Sequence, residues 1–230
     1  MAKKYFLFDL DGTLTDTGPG IMECIQKTLA DLGLPPREEA FLRRFVGPPL
    51  AESFQNLCGM SPEEAARAIQ IYRGYYVIGG VYKSPLYPGV EQLLKRLSQA
   101  AVLGVATSKN ESGARRILAM RGIEERFQVV VGDDGSRPSK AAVVAEVLER
   151  LGNPAPAEAV MVGDRSYDIA GAAAWGLEAV GVLYGYAAPG ELEEAGARYL
   201  AATVEELEAL CFQLAAGTAP AWGPLLKNFP

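Results

Sequence analysis

One short segment near the start of the chain constrains the fold most. The apolar run from Tyr5 to Phe8 leads directly into Asp9-Leu10-Asp11-Gly12-Thr13. An uninterrupted apolar run is typical of a strand that is covered on both faces, and such strands belong to parallel sheets. In open parallel sheets, ligands bind beyond the carboxyl ends of the strands. Asp9 and Asp11 therefore occupy the position where a ligand of such a sheet would bind.

Asp9 and Asp11 are separated by one residue, which places both carboxylates on the same face of an extended chain. Two like charges at this spacing repel each other unless a cation or a proton lies between them. The pair therefore predicts a metal-assisted active site. A plain strand-to-turn junction is the alternative, because Asp, Gly and Thr are all common in turns.

The composition limits the available chemistry. The 230 residues include no histidine, which excludes Ser-His-Asp and Cys-His triads, imidazole bases and His-based zinc sites. Any catalysis must therefore use carboxylates, lysines, hydroxyls and a hard metal ion. The net charge of -6 provides no basic field for a polyanion, so we expect no nucleic acid partner.

The cysteines and the apolar segments indicate where the protein works. Cys24, Cys58 and Cys211 are widely separated and form no Cys-x-x-Cys pair, which is typical of reduced thiols. The first apolar run ends at Asp9, and no later run is long enough for a membrane span. We therefore expect a cytoplasmic protein that does not associate with membranes.

Short apolar segments alternate with helical patterns along most of the chain. The predicted strands span residues 4–10, 101–107, 127–131, 159–163 and 179–183. Helical patterns cover residues 90–97, 112–120 and 140–151, and Thr203 with Glu206 forms a capping-box signature before a last helix. This alternation predicts an α/β fold with a doubly wound parallel sheet, built from residues 1–15 and 86–216.

Residues 16–85 separate the first two predicted strands and carry a helical pattern throughout. Ser61 followed by Pro62 marks one helix start within this segment. We expect a helical cap domain with hinges at the turn-rich residues 16–19 and 84–88, so that the cap closes over the strand ends as a lid. The Pro- and Gly-containing residues 217–230 predict an irregular tail that packs on the surface or serves in self-association.

Three later motifs have ordinary structural interpretations when taken singly. Thr107 and Ser108 end the second predicted strand, where hydroxyls suit phosphate oxygens or simply cap a helix. Lys140 begins a predicted helix and alone would be a solvated surface lysine. Asp164 follows the fourth predicted strand, and Asp168 lies on the next helical turn, where acidic residues are favourable even without a metal. Their order along the chain favours one shared site.

Four motifs of the chain, taken in order, resemble those of the haloacid dehalogenase superfamily of phosphohydrolases. They are Asp9-Leu10-Asp11-Gly12-Thr13, then Thr107, then Lys140, then Gly163-Asp164 with Asp168. The resemblance covers nearly the whole chain. The helical insertion between the first two motifs is similar to the helical C1 cap of the phosphoglycolate phosphatase-like branch, and residues 47–50 and 181–186 also resemble that branch.

The resemblance implies a catalytic role for each motif. Asp9 is the nucleophile and forms an aspartyl-phosphate. Asp11 is the acid that protonates the leaving alcohol and then the base that activates water. Lys140 is catalytic and, together with Thr107 and Ser108, holds the phosphoryl oxygens.

The same resemblance implies a Mg²⁺ ion as cofactor. Its protein ligands are Asp9, Asp164 and the backbone carbonyl of Asp11, with Asp168 in or near the coordination shell. The expected partner is a small phosphorylated metabolite similar to phosphoglycolate. The sequence leaves open whether the chain is a monomer or a homodimer.

Several alternatives stay open on the sequence. A 5′-nucleotidase or a sugar phosphomutase of the same fold keeps all four motifs. A non-catalytic phosphate-binding protein is a remote alternative, because it could dispense with Asp9 or Asp11 and this chain keeps both. Arg43 and Arg44 either reach a second anionic group of the substrate or form an exposed pair, and Arg137 is similarly open.

Overall fold

The computed structural model describes residues 1–219. The strands are β1 (Tyr5–Phe8), β2 (Val102–Asn110), β3 (Val129–Asp133), β4 (Ala159–Gly163), β5 (Glu178–Val182) and β6 (Tyr199–Ala201). They form one parallel sheet in the order β3-β2-β1-β4-β5-β6. Helices connect the strands, so the predicted α/β fold with a doubly wound parallel sheet is confirmed.

Ten α-helices lie within residues 1–219. They are α1 (Gly18–Asp31), α2 (Glu39–Arg43), α3 (Leu50–Cys58), α4 (Pro62–Ile78), α5 (Val90–Leu97), α6 (Glu111–Met120), α7 (Lys140–Arg150), α8 (Ser166–Ala173), α9 (Glu191–Glu194) and α10 (Val204–Ala216). Among these residues, no helix is both long enough and apolar enough to cross a membrane.

Strand β1 lies in the middle of the sheet, which explains its unbroken apolar sequence. Phe6 and Phe8 are fully buried in a core on one face, and Leu7 is fully buried in a second core on the other face. Both faces of the strand are therefore covered, as predicted for a central strand of a parallel sheet.

The order of the strands reverses direction at β1. The chain runs outward from β1 through β2 to β3, and then returns to place β4 on the other side of β1. Phe8 is in register with Val105 of β2 and with Val162 of β4. The carboxyl ends of β1 and β4 therefore meet at a topological switch point, the position where open α/β sheets bind ligands.

The segment 16–85 contains α1 to α4 and lies between β1 and β2, as the sequence predicts. Its two connections to the sheet run side by side. The amide of Asp16 donates to the carbonyl of Pro85 at 2.9 Å, and the amide of Tyr87 donates to the carbonyl of Leu14 at 3.1 Å. Residues of the helical segment face the ends of β2 and β3 across one cavity. Whether this segment moves as a cap on hinges stays a prediction.

The structure corrects several boundaries. Strand β1 ends at Phe8 rather than at residue 10, whereas β2 continues to Asn110. The edge strand β6 was not predicted, because three residues are too few to show a periodic pattern. The three cysteines are free, as expected. The predicted irregular tail falls outside the described residues from residue 220 onward.

Candidate active site

Three carboxylates converge at the switch point between β1 and β4. Asp9 follows β1 directly, and its amide donates to the carbonyl of Val162 in β4 at 2.9 Å. Asp164 follows β4, and Asp168 lies in the first turn of α8. All three side chains are buried, and one oxygen from each lies within 4.8 Å of the others. The structure therefore brings together three of the four acidic residues predicted for this site.

Two glycines allow these carboxylates to approach so closely. Gly12 has a φ of +88°, and a Cβ atom at this position would overlap the carboxylate of Asp164. A Cβ atom on Gly163 would overlap the carboxyl group of Asp168. Any larger residue would push a carboxylate out of the cluster, and at Gly12 it would also strain the backbone.

Lys140 supplies a cation inside the carboxylate cluster. It is the first residue of α7, which is capped by the side chain of Ser139. The ammonium of Lys140 donates to Asp9 Oδ1 at 2.6 Å and to the carbonyl of Ala106 at 2.9 Å, and it lies 2.7 Å from Asp168 Oδ1. Lys140 is therefore not the solvated surface lysine that its sequence position alone would indicate.

The electrostatics of this cluster favour an additional positive charge. Burial, together with the charges of Asp168 and Asp11, raises the pKa of Asp9 to about 6, although Lys140 acts in the opposite direction. Burial also raises the pKa of Asp164 well above its usual range. Burial by itself would lower the pKa of Lys140, but attraction to Asp168 and Asp9 outweighs it, so Lys140 stays charged.

One ammonium does not neutralise three carboxylates. Hard divalent cations prefer such oxygen ligands, so the donor set of Asp9, Asp164 and Asp168 fits Mg²⁺.

Asp11 belongs to a different pair. The strand ends before it, so Asp9 and Asp11 do not share a strand face as the sequence spacing predicted. Asp11 Oδ2 accepts a hydrogen bond from Lys109 at 2.7 Å. Asp11 Oδ1 is buried and has no hydrogen-bond partner within the described chain. The Asp11 side chain is not a member of the three-carboxylate group, and its predicted contact to a metal through the backbone carbonyl stays a prediction.

The predicted phosphate-binding hydroxyls lie at the end of β2, next to β1. Thr107 is buried, and its hydroxyl accepts a hydrogen bond from the amide of Lys109 at 3.2 Å. The hydroxyl of Ser108 is buried and, among residues 1–219, has no hydrogen-bond partner. The Ser108 hydroxyl is therefore available to donate a hydrogen bond to a bound phosphoryl oxygen beside Asp11.

The sequence analysis assigned no role to Lys109. A usable signal was present. Lys109 directly follows Ser108 at the end of β2, beside the hydroxyls predicted to hold phosphate. Burial alone would lower the pKa of Lys109, but Asp11 raises it, and the side chain stays charged.

A cavity of about 330 Å³ opens beside Asp11, between the sheet and the helical segment. The sheet side contributes polar groups, among them Asp11, Ser108 and Lys109. The helical side contributes mainly apolar residues: Ile21, Phe45, Pro48, Pro49, Leu50, Ile69, Tyr72, Tyr76 and Val77.

The sequence left the roles of Arg43, Arg44 and Arg137 open, and none of the three lines this cavity. Arg43 and Arg44 are exposed, and Arg43 stacks on the ring of Tyr186 at 4.7 Å. Both arginines line a second cavity, together with Arg165 and Glu191. Arg137 forms ion pairs with Glu111 and Asp134, each at 3.2 Å. These contacts favour the interpretation that Arg43 and Arg44 are an exposed pair rather than substrate-binding residues. They favour a structural role for Arg137.

Arg165 connects the sheet to the helical segment. Its guanidinium donates to the carbonyl of Val46 in the helical segment and to Glu191 Oε1 at 2.9 Å. A Cβ atom on Gly47, which has a φ of +101°, would overlap the Arg165 side chain. Sequence reasoning did not select Arg165, and its position directly after Asp164 was the available signal.

Comparison with known proteins adds independent information. A family model described as haloacid dehalogenase-like hydrolase matches residues 6–182. The crystal structure of a predicted phosphatase from Clostridium acetobutylicum superposes with a TM-score of 0.90 and 36% sequence identity. This match covers 93% of the present chain and 100% of the other chain.

Relatives with similar sequences have names from different functional classes. The tyrosine-protein kinase PtkA of Mycobacterium tuberculosis is 43% identical over 206 residues, covering 87% of this chain and 70% of the relative. A 5′-nucleotidase of Pseudomonas aeruginosa is 36% identical, and the match covers 81% of this chain and 85% of the relative. A phosphoglycolate phosphatase of Rhodospirillum rubrum is 34% identical, covering 80% of each. The relatives share a family but not one substrate.

Proposed function

The chain belongs to the haloacid dehalogenase-like hydrolases, and on that premise we propose that it is a Mg²⁺-dependent phosphatase of small phosphomonoesters. The observation that carries this proposal is the buried group of Asp9, Asp164 and Asp168 with the ammonium of Lys140 among them. Phosphatase names among the similar proteins support the reaction class. The proposed location is the cytoplasm, with a phosphorylated metabolite rather than nucleic acid as partner.

Asp9 is the proposed nucleophile. A carboxylate attacks phosphorus without a histidine to deprotonate it, which suits a chain that contains none. Its attack forms an aspartyl-phosphate and releases the alcohol. Lys140, 2.6 Å from Asp9 Oδ1, orients the nucleophile and offers a positive charge to the phosphoryl oxygens. The hydroxyl of Ser108 donates a hydrogen bond to one of these oxygens. The hydroxyl of Thr107, which accepts from the amide of Lys109, donates to another.

Asp11 is the proposed acid and base. Its protonated form gives the proton to the oxygen of the leaving alcohol, and the resulting carboxylate then takes a proton from the water that hydrolyses the aspartyl-phosphate. The Asp11 side chain faces the cavity where the alcohol would lie, and its Oδ1 is free to make these contacts. Lys109 holds the other oxygen and thereby orients the carboxylate.

Asp9, Asp164 and Asp168 would hold the Mg²⁺ ion, together with the backbone carbonyl of Asp11. When bound, Mg²⁺ supplies positive charge that offsets the repulsion between a carboxylate nucleophile and an anionic phosphate. Thr13 and the amide of Tyr186 fix the orientation of Asp164, donating to its two oxygens at 3.2 and 2.8 Å. Such supporting contacts hold ligands in place for a metal.

The substrate is the less defined part of the proposal. A phosphoglycolate-like monoester remains the prediction from the sequence, and relatives named phosphoglycolate phosphatase and 5′-nucleotidase support two different leaving groups. A sugar phosphomutase would use the same residues but return the phosphoryl group to the sugar. The proposed phosphatase transfers the phosphoryl group to water, and this acceptor distinguishes it from a mutase and from a kinase.

The test is a screen of phosphorylated metabolites with Mg²⁺ and with EDTA. Phosphoglycolate, nucleoside monophosphates and hexose phosphates are incubated with the protein, and both released phosphate and sugar-phosphate isomers are measured. We expect Mg²⁺-dependent phosphate release that EDTA abolishes. Isomer formation without net phosphate release would instead identify a mutase. Binding of phosphate or vanadate without any turnover would identify a non-catalytic protein.

A further inference from the structure

The cavity beside Asp11 has an apolar wall, and we infer that it selects phosphomonoesters whose alcohol carries an uncharged ring. The inference rests on the proposed phosphatase function and names a substrate class for the same site. The cavity of about 330 Å³ is at the lower end of the range for ligand pockets, about 300–1,000 Å³. A glycolate group would fill only part of a cavity of this size.

Helix α4 and residues 45–51 build the helical side of the cavity. Ile69, Tyr72 and Tyr76 lie three to four residues apart and therefore share one face of this helix. The rings of Tyr72 and Tyr76 stack with centroids 5.4 Å apart and planes inclined by 18°. Phe45, 1% exposed, adds a third ring. Aromatic and aliphatic side chains favour a partner with a large apolar surface, and rings pack against rings in stacked or edge-on arrangements.

The charges around the cavity disfavour a carboxylated alcohol. Lys109 is buried at the cavity, but Asp11 already neutralises it at 2.7 Å. Arg73 lies at an exposed position, and Asp133 adds a carboxylate to the lining. A second carboxylate against Tyr72 and Ile69 would lose its hydration, which is unfavourable. The one cation of the described lining outside an ion pair, Arg73, is exposed, and a pair formed there would contribute little.

Three polar atoms at the cavity face its interior. Asp11 Oδ1 and Ser108 Oγ are buried without a hydrogen-bond partner within residues 1–219, and the Tyr76 hydroxyl lies within reach of Lys109 and Ser84. The first two have roles toward the phosphate ester in the proposed reaction. Tyr76 has none, although its ring lies 4.7 Å from the ammonium of Lys109 and thus beside the reacting end of the cavity. Its hydroxyl can pair with a polar group on a ring-bearing alcohol.

The first experiment compares kcat/KM for four monoesters: benzyl phosphate, adenosine 5′-monophosphate, phosphoglycolate and glycerol phosphate. We expect the better of the two ring-bearing substrates to exceed phosphoglycolate by about tenfold or more. Tyr72→Leu should lower kcat/KM for the ring-bearing substrates by about tenfold, mainly through KM, and should thereby remove most of their advantage over phosphoglycolate. Circular dichroism verifies that the variant is folded.

Tyr75→Leu is the matched control. Tyr75 is on the same helix and hydrogen-bonds to Asp31 at 2.7 Å, but it does not line the cavity. This variant should leave the preference for ring-bearing substrates unchanged. A preference for phosphoglycolate that Arg73→Ala abolishes would overturn the inference, because it would show that Arg73 at the cavity recognises a carboxylate.

Tyr76→Phe distinguishes two sources of the ring. A nucleoside has hydroxyls and ring nitrogens for the Tyr76 hydroxyl, whereas a benzyl group has none. Loss of activity on adenosine 5′-monophosphate but not on benzyl phosphate would identify a nucleoside-type alcohol. Equal activity of wild type and variant on both, with benzyl phosphate preferred, would identify an aryl-type alcohol.

Calorimetry measures the binding of benzylphosphonate and phosphonoacetate without any turnover. It therefore distinguishes failure of the ring preference from failure of the phosphatase proposal. We expect the wild-type protein to bind benzylphosphonate about tenfold more tightly. If this preference holds while no monoester is hydrolysed, the phosphatase proposal fails and the ring preference stands. If monoesters are hydrolysed but phosphonoacetate binds more tightly, the ring preference is overturned and the phosphatase proposal stands.

Discussion

The ammonium of Lys109 lies 2.7 Å from the carboxylate of Asp11, with only 9% and 10% of the two side chains exposed. Lys109 also lies over the ring of Tyr76. Attraction to Asp11 raises the pKa of Lys109 in spite of burial, so the cation is permanent over the working range of pH. Asp11 therefore approaches a substrate with one oxygen already held by the protein and the other free.

Replacing Lys109 should destabilise the protein through this pair. Lys109→Met leaves the buried Asp11 carboxylate without its cation, so we expect the free energy of unfolding in urea to fall by about 3–5 kcal/mol. Adding Asp11→Asn should recover most of this loss, because the unpaired charge is then removed. Lys27→Met is the control, since Lys27 is 51% exposed and pairs with Glu23, and it should cost less than about 1 kcal/mol.

Asp9→Asn should abolish hydrolysis while the fold is retained. The amide has nearly the shape of the carboxylate but cannot form an acyl-phosphate, so we expect turnover to fall by at least about 10⁴-fold. Phosphate release and hydroxylamine-sensitive phosphoenzyme are the measurements, with circular dichroism for the fold. Substantial residual turnover would mean that Asp9 is not the nucleophile.

Asp11→Asn should separate the two chemical steps. Formation of the phosphoenzyme from an aryl phosphate needs little help from an acid, whereas its hydrolysis still needs a base. We expect phosphoenzyme to accumulate and phosphate release to slow by about 10²–10⁴-fold. Rapid-quench measurement with an aryl phosphate tests both steps. Normal hydrolysis without accumulation would contradict the acid and base roles of Asp11.

Lys140→Met should destabilise the protein more at pH 8 than at pH 5.5. Without the ammonium, Asp9 and Asp168 face each other in a buried site. Because the pKa of Asp9 is already raised to about 6, a proton can replace the lost charge at low pH but not at pH 8. Lys4→Met removes an ion pair of a lysine whose side chain is 64% exposed, and it should have little effect at either pH. Urea unfolding in EDTA measures the stability of both variants at both pH values.

Mg²⁺ should stabilise the protein in a pH-dependent manner. Burial raises the pKa values of Asp9, to about 6, and of Asp164. Their contribution to stability without metal is thus fully present below about pH 4, the unfolded pKa, and is lost as pH rises through the folded values. Mg²⁺ at a hundredfold excess over its Kd contributes about 2.7 kcal/mol, or about 5–10 °C in Tm.

This shift in Tm should be present at pH 8 and small at pH 5, where protons compete for the carboxylates. Asp164→Asn should remove the shift, because the amide brings no negative charge to the cluster. Asp134→Asn is the control, since Asp134 is an exposed carboxylate outside the cluster. Equal shifts in both variants would show that Mg²⁺ binds elsewhere. Thermal unfolding with Mg²⁺ and with EDTA measures these differences.

The sequence predicted which elements form and where the chemistry lies. The apolar run from Tyr5 to Phe8 was correctly placed inside a parallel sheet, because a strand buried on both faces cannot carry alternating polar residues. Asp164 was correctly placed at a strand end. Lys140 could not be distinguished from a surface lysine by its own neighbours, and only the order of the motifs linked it to Asp9. The edge strand β6 was missed because its three residues carry too little pattern.

Local patterns determined this protein's strands, helices and motif order, since hydrophobic periodicity and helix capping act between residues near in sequence. Only the tertiary structure decided which charges pair. Asp9 and Asp11 are two residues apart, yet Asp9 contacts Lys140 at the start of α7 and Asp11 contacts Lys109 in β2. The tertiary structure likewise placed Tyr72 and Tyr76 over the cavity beside Asp11. Such pairings depend on burial and distance across the fold, which spacing along the chain does not encode.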